Sequence, residues 1–471
     1  MSDVFGGSPP AYVPLVMGIG VNSGRIQQLQ AGTVLDPSAC GFAASISSAY
    51  TIYVSASGSD ITGNGTSGSP WASIAKAMSY LKDKWISNGV TVTILLGDGT
   101  FAQSSEILVT HPCAAQIFIA GTNTYTRSMT SIQSSSGGAG AWDVILNLTS
   151  VANIAVNDYV CVTSVSGGTY PRRLVGCHKV TSVDSGNNRI TVRCLSKSFT
   201  TMASGAVAST ITVLKTILSC TGCNCIRVAS VTFGGISKVA IVGNGTAGTC
   251  GIRVEAGTMA CTAPVGISNF AEGFSCLSGM LYAISSVSSG STSYGYHSNL
   301  GGAIVATYGV ASGNAIGFVA EQGSTLAADQ GQSVGNTSHG FQAIATSFMV
   351  CGSAWSTGNG GAGFYAAGHS QVNAAGSNAS YCGADGFAAD YASVADFSST
   401  NSSYNPTGMS AHTLAMINAT STTIQHNTTG VYADQMAMLN ASTSTIDNTN
   451  TTISSPAFNT QGNVFAYIVK S

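Results

Sequence analysis

The chain has 471 residues, of which 44% are hydrophobic and only 7% charged, with a formal net charge of −2. Soluble domains usually carry about 25% charged residues, so the polar share here is filled by Gly, Ser, Thr and Asn, which favour sheets and tight turns over helices. The near-normal apolar content excludes general disorder. Fifteen of the sixteen basic residues lie at or before Arg253, leaving residues 254–469 with nine acidic residues and no Lys or Arg, which excludes a phosphate-binding surface there.

The opening residues MSDVFGGSPP show no basic segment followed by an apolar run, so no signal peptide is expected. The longest apolar stretches, such as VTVTILL, are too short for membrane insertion. Residues 1–45 are rich in Gly, Pro and Ser and have no periodicity. Over residues 71–84, Ala72, Ile74, Ala75, Met78 and Leu81 form one helical stripe, which predicts a short helix. VTVTILL and the turn at residues 97–101 then predict the first coil of a repetitive sheet within residues 46–140. Residues 141–215 alternate apolar and polar positions around turn signals such as SGNN, which predicts an inserted small antiparallel β domain. Its cations Arg172, Arg173, Lys179, Arg189, Arg193 and Lys197 read as a solvated face or as a contact for another protein.

From Gly251 onward the chain repeats. A glycine followed by a mostly large apolar residue recurs at Gly251, Gly273, Gly295, Gly317, Gly340, Gly363, Gly386, Gly408 and Gly430, at intervals of 22 or 23. Large then small at alternate positions, as in Phe341 and Ala343 or Phe364 and Ala366, is the period of a strand with one face buried. The unit is too short for paired-helix solenoids and lacks the leucines of a leucine-rich repeat. Short strands joined by Gly, Asn and Ser turns fit an all-β fold, a single-stranded right-handed parallel β-helix over residues 216–450. A β-sandwich is the competing fold. In a β-helix each coil lies about 4.8 Å above the last, and stacking buries the inner face that one coil cannot bury alone. Phe274, Tyr296, Phe318, Phe341, Phe364 and Phe387 would then stack internally, with Asn and Ser ladders at the corners. NVFAYIVKS, within residues 451–471, suits a closing strand.

Glycan hydrolysis usually takes two carboxyl groups. The weak catalytic candidates are Asp385 and Asp390 at opposite ends of one strand, Asp396 near Asp390, and Glu321 about one and a half coils from Glu272. His339, His369, His412 and His426 share no column, and Trp355 could stack on a sugar. No phosphate loop, nucleophile elbow or HExxH occurs, so no cofactor is expected. The run CTGCNC (Cys220, Cys223, Cys225) has no second pair at zinc-finger spacing, and no metal is expected. Thirteen cysteines are an odd number, leaving one thiol unpaired within the chain. Cys220, Cys223, Cys225, Cys250 and Cys276, the last three about one coil apart, are the disulfide candidates, whereas Cys261 and Cys351 lie too many coils apart to pair.

GVNSGRIQQLQAGTVLD, residues 20–36, resembles the N-terminal segments of bacteriophage tail-fibre and receptor-binding proteins. YVSASGSDITGNGTSGSPWASIAKAMSYL is similar to the start of the pectate-lyase-like β-helix in phage tailspikes, where such a loop leads into a helix that caps the solenoid. The resemblance covers residues 15–110 in motif and the rest in architecture. It implies a homotrimeric virion protein, assembled in the host cytoplasm and fixed by residues 1–45 to tail, baseplate or neck and collar proteins, for host-surface contact or mechanical display. Host-surface glycan is a further partner it implies. The competing function is a tailspike polysaccharide depolymerase with an intersubunit carboxylate pair; a secreted lyase-like enzyme or adhesin is a third reading. The missing carboxylate–histidine signature favours the structural or binding role over catalysis.

Overall fold

A computed structural model describes residues 41–133, 137–138, 141–165, 174–194, 205–447, 458–461 and 467–469. The chain winds as a parallel β-helix. Each regular coil lays down three short strands, for example Glu272–Leu277, Met280–Tyr282 and Val287–Ser289. The next coil places Tyr294–Asn299, Ala303–Val305 and Val310–Ser312 beside them. First-face strands form a 12-stranded parallel sheet. Strands of the second and third faces join into one 24-stranded sheet, because Thr232–Val242 and Thr258–Ser268 run through both. The winding takes the right-handed sense that parallel crossovers adopt.

The recurring glycines have a steric cause. A Cβ on Gly317, Gly340, Gly363 or Gly408 would stand 2.5–2.6 Å from the carbonyl oxygen of the next glycine in the column. No side chain fits where one coil's backbone turns over another. The residue after each glycine faces inward, and the six predicted aromatics form one column. Phe274, Tyr296, Phe318, Phe341, Phe364 and Phe387 are fully buried, with successive centroids 4.6–4.9 Å apart and interplanar angles of 10° or less. The spacing is that of the coils themselves, so backbone pairing and ring stacking are satisfied by one translation.

Corners are held by side-chain ladders. The Asn336 backbone N–H donates to Asn359 Oδ1 at 2.9 Å, Asn314 to Asn336 at 2.8 Å, and Asn405 to Asn427 at 2.9 Å. Cys382 takes the ladder position between Asn359 and Asn405, and its own N–H donates to Asn405. A serine ladder links Ser324, Ser347, Ser370 and Ser393 in the same way. These buried amides and hydroxyls satisfy turn N–H groups that no strand can reach. Another corner recurs as Tyr308, Gln330 and Ser353, all left-handed at φ 55–57°. That conformation costs a non-glycine residue about 1 kcal/mol or more, and each of the three N–H groups donates to the next coil.

The capping helix is shorter than the 71–84 stripe suggests: it spans Ile74–Leu81. Ser73 caps its N-terminus, and Asp60 accepts from the backbone N–H groups of Ala72 and Ser73. Trp71 instead bridges to Val54, and Lys84–Ile86 becomes a strand beside Ala44–Ile46. The first coil also starts earlier than expected, with Tyr50–Val54 pairing under Val92–Leu96. At the other end, Tyr467–Val469 pairs with Met438–Asn440. Residues 1–40, most of the expected attachment segment, and Arg172, Arg173 and Lys197 lie outside the described residues.

The insertion begins at Thr124, not residue 141. Thr124–Gln133 pairs antiparallel with both Ala141–Leu148 and Gly205–Leu214, and Ala141–Leu148 pairs in turn with Arg189–Cys194. With Gly176–Asp184 and Tyr159–Val162 this closes a six-stranded barrel in which each of the six strands has a partner on both sides. Its apolar interior continues into Val287, Val310 and Val334 of the third face. Of its cations, Arg193 forms a two-pronged pair with Asp143 at 2.6 and 2.9 Å, and Arg189 bonds Asn147. Both are spent on the barrel itself.

Phe364→Ala should cost about 3–5 kcal/mol, read as a lowered denaturant midpoint. Phe348→Ala, at a 40% exposed second-face position, should stay within about 0.5 kcal/mol of wild type.

Candidate functional site

Outward positions of the first face form one ladder along the axis. Arg227 pairs with Arg253, then in order come Ser275, His297, Val319, Gln342, Tyr365, Ala388, Ser410 and Tyr432. Two arginines in successive rungs repel. Glu255 lies between them, 3.1 Å from Arg227 Nε and in contact with Arg253 Nε, while Glu106 holds Arg227 Nη1 at 2.9 Å.

The densest cluster centres on His297. Tyr296 and Ser298 face inward, so alternation turns His297 outward, yet it is only 5% exposed. Its Nε2 lies 2.9 Å from Glu321 Oε1. Nδ1 lies 3.1 Å from Glu272 Oε2, an ion-pair contact off hydrogen-bond alignment. Tyr294 packs on the imidazole with centroids 4.3 Å apart, and Asn299 Nδ2 donates to Glu321 at 2.8 Å. The Cys250 thiol approaches Glu272 at 3.7 Å. Burial by itself would lower the His297 pKa, but the charges of Glu272 and Glu321 and the hydrogen bond to Glu321 outweigh it and the pKa is raised. Burial likewise opposes ionisation of Glu272, but His297 and Arg253 hold its pKa below the ordinary value. The result is a carboxylate–imidazole–carboxylate triad under an aromatic ring, a set that can hold a proton just beneath the first face. The sequence reading named Glu321 and Glu272 but missed His297 and Tyr294. Two-residue alternation on a strand starting at Gly295 would have exposed His297.

The other carboxylate candidates are separated. Asp385 opens strand Asp385–Ala389 and Asp390 follows it, as expected. Asp385 is half-buried and its pKa is raised by that burial, which outweighs the nearby Ser410 and Thr407 hydroxyls. Asp396 belongs to the second face, where it accepts from Asn418 Nδ2 at 3.1 Å. There it lines a shallow groove of about 390 Å³ with Val394, Met416 and Met438, away from Asp390's face. His412 pairs with Asp434 at 3.0 Å, and His339 stacks on Tyr365 at 4.8 Å. Trp355 stands on the third face.

All five disulfide candidates are thiols in this structure, as is every cysteine among the described residues. Cys250 and Cys276 do not share a column: Cys250 pairs with Glu272, and Cys276 with Val254. Their 26-residue separation exceeds the local period by four, which moves Cys276 into the core. Cys225 lies one coil from Cys250, its N–H donating to the Cys250 carbonyl, but its thiol contacts Cys220. Among the described residues no three His, Cys, Asp or Glu side chains are placed to share a metal.

No family model matches the chain. No curated protein matches it by sequence. Solved structures do. A mutant of the periplasmic alginate epimerase AlgG aligns at 13% identity and TM-score 0.32, covering 55% of this chain and 76% of that one. XylC in complex with xylose aligns at 9% identity and TM-score 0.23, covering 84% and 70%. The GH136 lacto-N-biosidase from Eubacterium ramulus gives 10%, 0.23, 89% and 68%. At these values nothing about substrate or site residues carries over.

The triad makes stability depend on pH. His297, raised, stabilises the fold below its ordinary value of 6.5 and loses that contribution as pH rises through its folded pKa. Glu272, lowered, stabilises above its ordinary 4.5 and loses that as pH falls through its folded pKa. The melting-temperature gap between wild type and His297→Gln should therefore be widest between the ordinary values of 4.5 and 6.5 and shrink as pH rises through the raised His297 pKa. A gap that stays constant from acid to alkaline pH contradicts a charged triad.

Proposed function

We propose that the chain is the shaft of a bacteriophage spike or fibre that meets host-surface glycan along its first face. The observation that carries this reading is the outward ladder. Half-buried Tyr294, Gln342, Tyr365, His412 and Tyr432 set rings and an amide along one face parallel to the axis, between the buried rungs Ser275, His297, Val319, Ala388 and Ser410. An extended polysaccharide needs such a track, with ring faces for its apolar sides and hydrogen-bonding groups for its hydroxyls. Attachment to tail, baseplate or neck through residues 1–45 rests on the tail-fibre-like segment at residues 20–36. A homotrimer in the virion fits the exposed apolar side chains of Val394, Met416 and Met438, which stand on successive paired rungs, because adjacent apolar groups left to water are candidate contact surfaces.

A second reading, a polysaccharide depolymerase, is favoured by Glu272 and Glu321 standing on either side of one imidazole. Two carboxyl groups about 5–10 Å apart are what glycoside hydrolysis uses. In this version the pair belongs to one chain and is not shared between subunits, with the His297 imidazolium as the nearby acid.

Purified protein would be titrated against a panel of bacterial capsular polysaccharides and lipopolysaccharides, following retention and new reducing ends together. The expected result is retention by at least one polymer, weakened about tenfold by Tyr365→Ala, with no new reducing ends. Reducing ends that vanish in Glu272→Gln would establish the hydrolase instead. Absence of retention across the panel, for wild type and variants alike, would sink the glycan reading.

A further inference from the structure

We infer that Cys161 and Cys177 are built to form a cross-strand disulfide that locks the inserted barrel where it rests on the β-helix. The two residues are direct partners in the antiparallel pair Tyr159–Val162 with Gly176–Asp184. Direct partners point to the same side of a sheet. This rung is a non-hydrogen-bonded one. The Val180 N–H donates to the Asp158 carbonyl three residues earlier in the ladder, and bonded rungs alternate with open ones. The Cys177 N–H is accordingly free of Cys161 and donates to Ser289 Oγ on the third face at 2.8 Å. Open rungs bring Cα atoms to about 4.5 Å, inside the range a disulfide spans.

The surroundings are shaped for the sulfur pair. Both Sγ atoms converge above Gly266 of the third face: a Cβ on that glycine would stand 2.5 Å from Cys177 Sγ and 2.7 Å from Cys161 Sγ. Any other residue there would push the sulfurs away. The thiols are already in hydrogen-bonding contact, and both side chains are buried. Val310 and Val334 of the same face share an apolar cluster with these two cysteines, so a bond here would be sealed under the interface. The bond would link two strands that are joined in sequence by residues 162–176.

The chemistry balances with a low-molecular-weight disulfide as oxidant. One cysteine, as thiolate, attacks it and releases one thiol, giving a mixed disulfide. The second thiolate displaces the other half, so the Cys161–Cys177 bond forms, the oxidant's sulfur–sulfur bond is broken, and its two halves take up the two protons. Burial makes the step slow in the closed fold and, once made, protects the bond from reduction. The inference is independent of the glycan reading.

Full-length protein, purified reduced, would be refolded in a glutathione redox buffer and also incubated natively in oxidised glutathione. Alkylation in denaturant, trypsin digestion and mass spectrometry follow. Arg172, Arg173 and Lys179 place the two cysteines in separate tryptic peptides. The expected result is one linked pair of peptides, lighter by two hydrogens, and a melting temperature raised by roughly 3 °C over the reduced protein. That rise should vanish in Cys161→Ser and in Cys177→Ala alike. The wild-type peptide readout stands even if a variant fails to fold. Recovery of both cysteines as separately alkylated peptides from refolded and native samples would overturn the inference, as would linkage of either one to a different cysteine.

Discussion

Everything in this molecule depends on identical coils lying directly above one another at the separation of paired strands. That spacing is imposed by backbone hydrogen bonds, and every side-chain position inherits it. A residue is acceptable only if it tolerates a near-copy of itself one rung away. Phenylalanine does, with its ring face to face at 4.7–4.9 Å. Asparagine does, because each amide oxygen accepts from the backbone N–H of the coil before it. Glycine is required where the rungs come closest, as at Gly340 and Gly363.

Charge is what such stacking tolerates least, which accounts for the sparse charged content. Where like charges meet in register, at Arg227 and Arg253, a carboxylate is drawn between them. At His297 the arrangement is reversed, one imidazole serving two carboxylates from different coils. This triad stands in a ladder whose rungs past Arg253 are otherwise uncharged, and there the fold departs from self-copying. Sites that depart from a repeat's logic are where function is to be sought. The barrel departs in another way, by adding a closed domain on the third face.

Legibility in the sequence followed the same constraint. The glycine period and the aromatic column could be read directly, since a translation in space leaves a translation in sequence. Diagonal contacts could not. Glu272 reaches His297 from a position aligned with Tyr294, and Glu321 from one aligned with Asn299, so neither pair stands at the repeat interval. Cys250 and Cys276 misled because a 26-residue separation resembles one coil without being one. Thr124–Gln133 was assigned to the β-helix because its alternation is equally that of a barrel strand; only its antiparallel partners decide. Cys161 and Cys177 meet through an antiparallel register that no repeat announces.

The most direct test of the stacked-coil account is a deletion in register. Removing residues 340–362 takes out one whole coil of 23 residues and sets Gly363 where Gly340 stood. The account predicts a soluble, shorter protein with the same β-rich circular dichroism and a melting temperature within a few degrees of wild type. Removing only residues 340–350 should break every column below the cut and give aggregated or unfolded chain. If the whole-coil deletion unfolds, or the partial one is tolerated equally well, the coils are not interchangeable rungs and the account is contradicted.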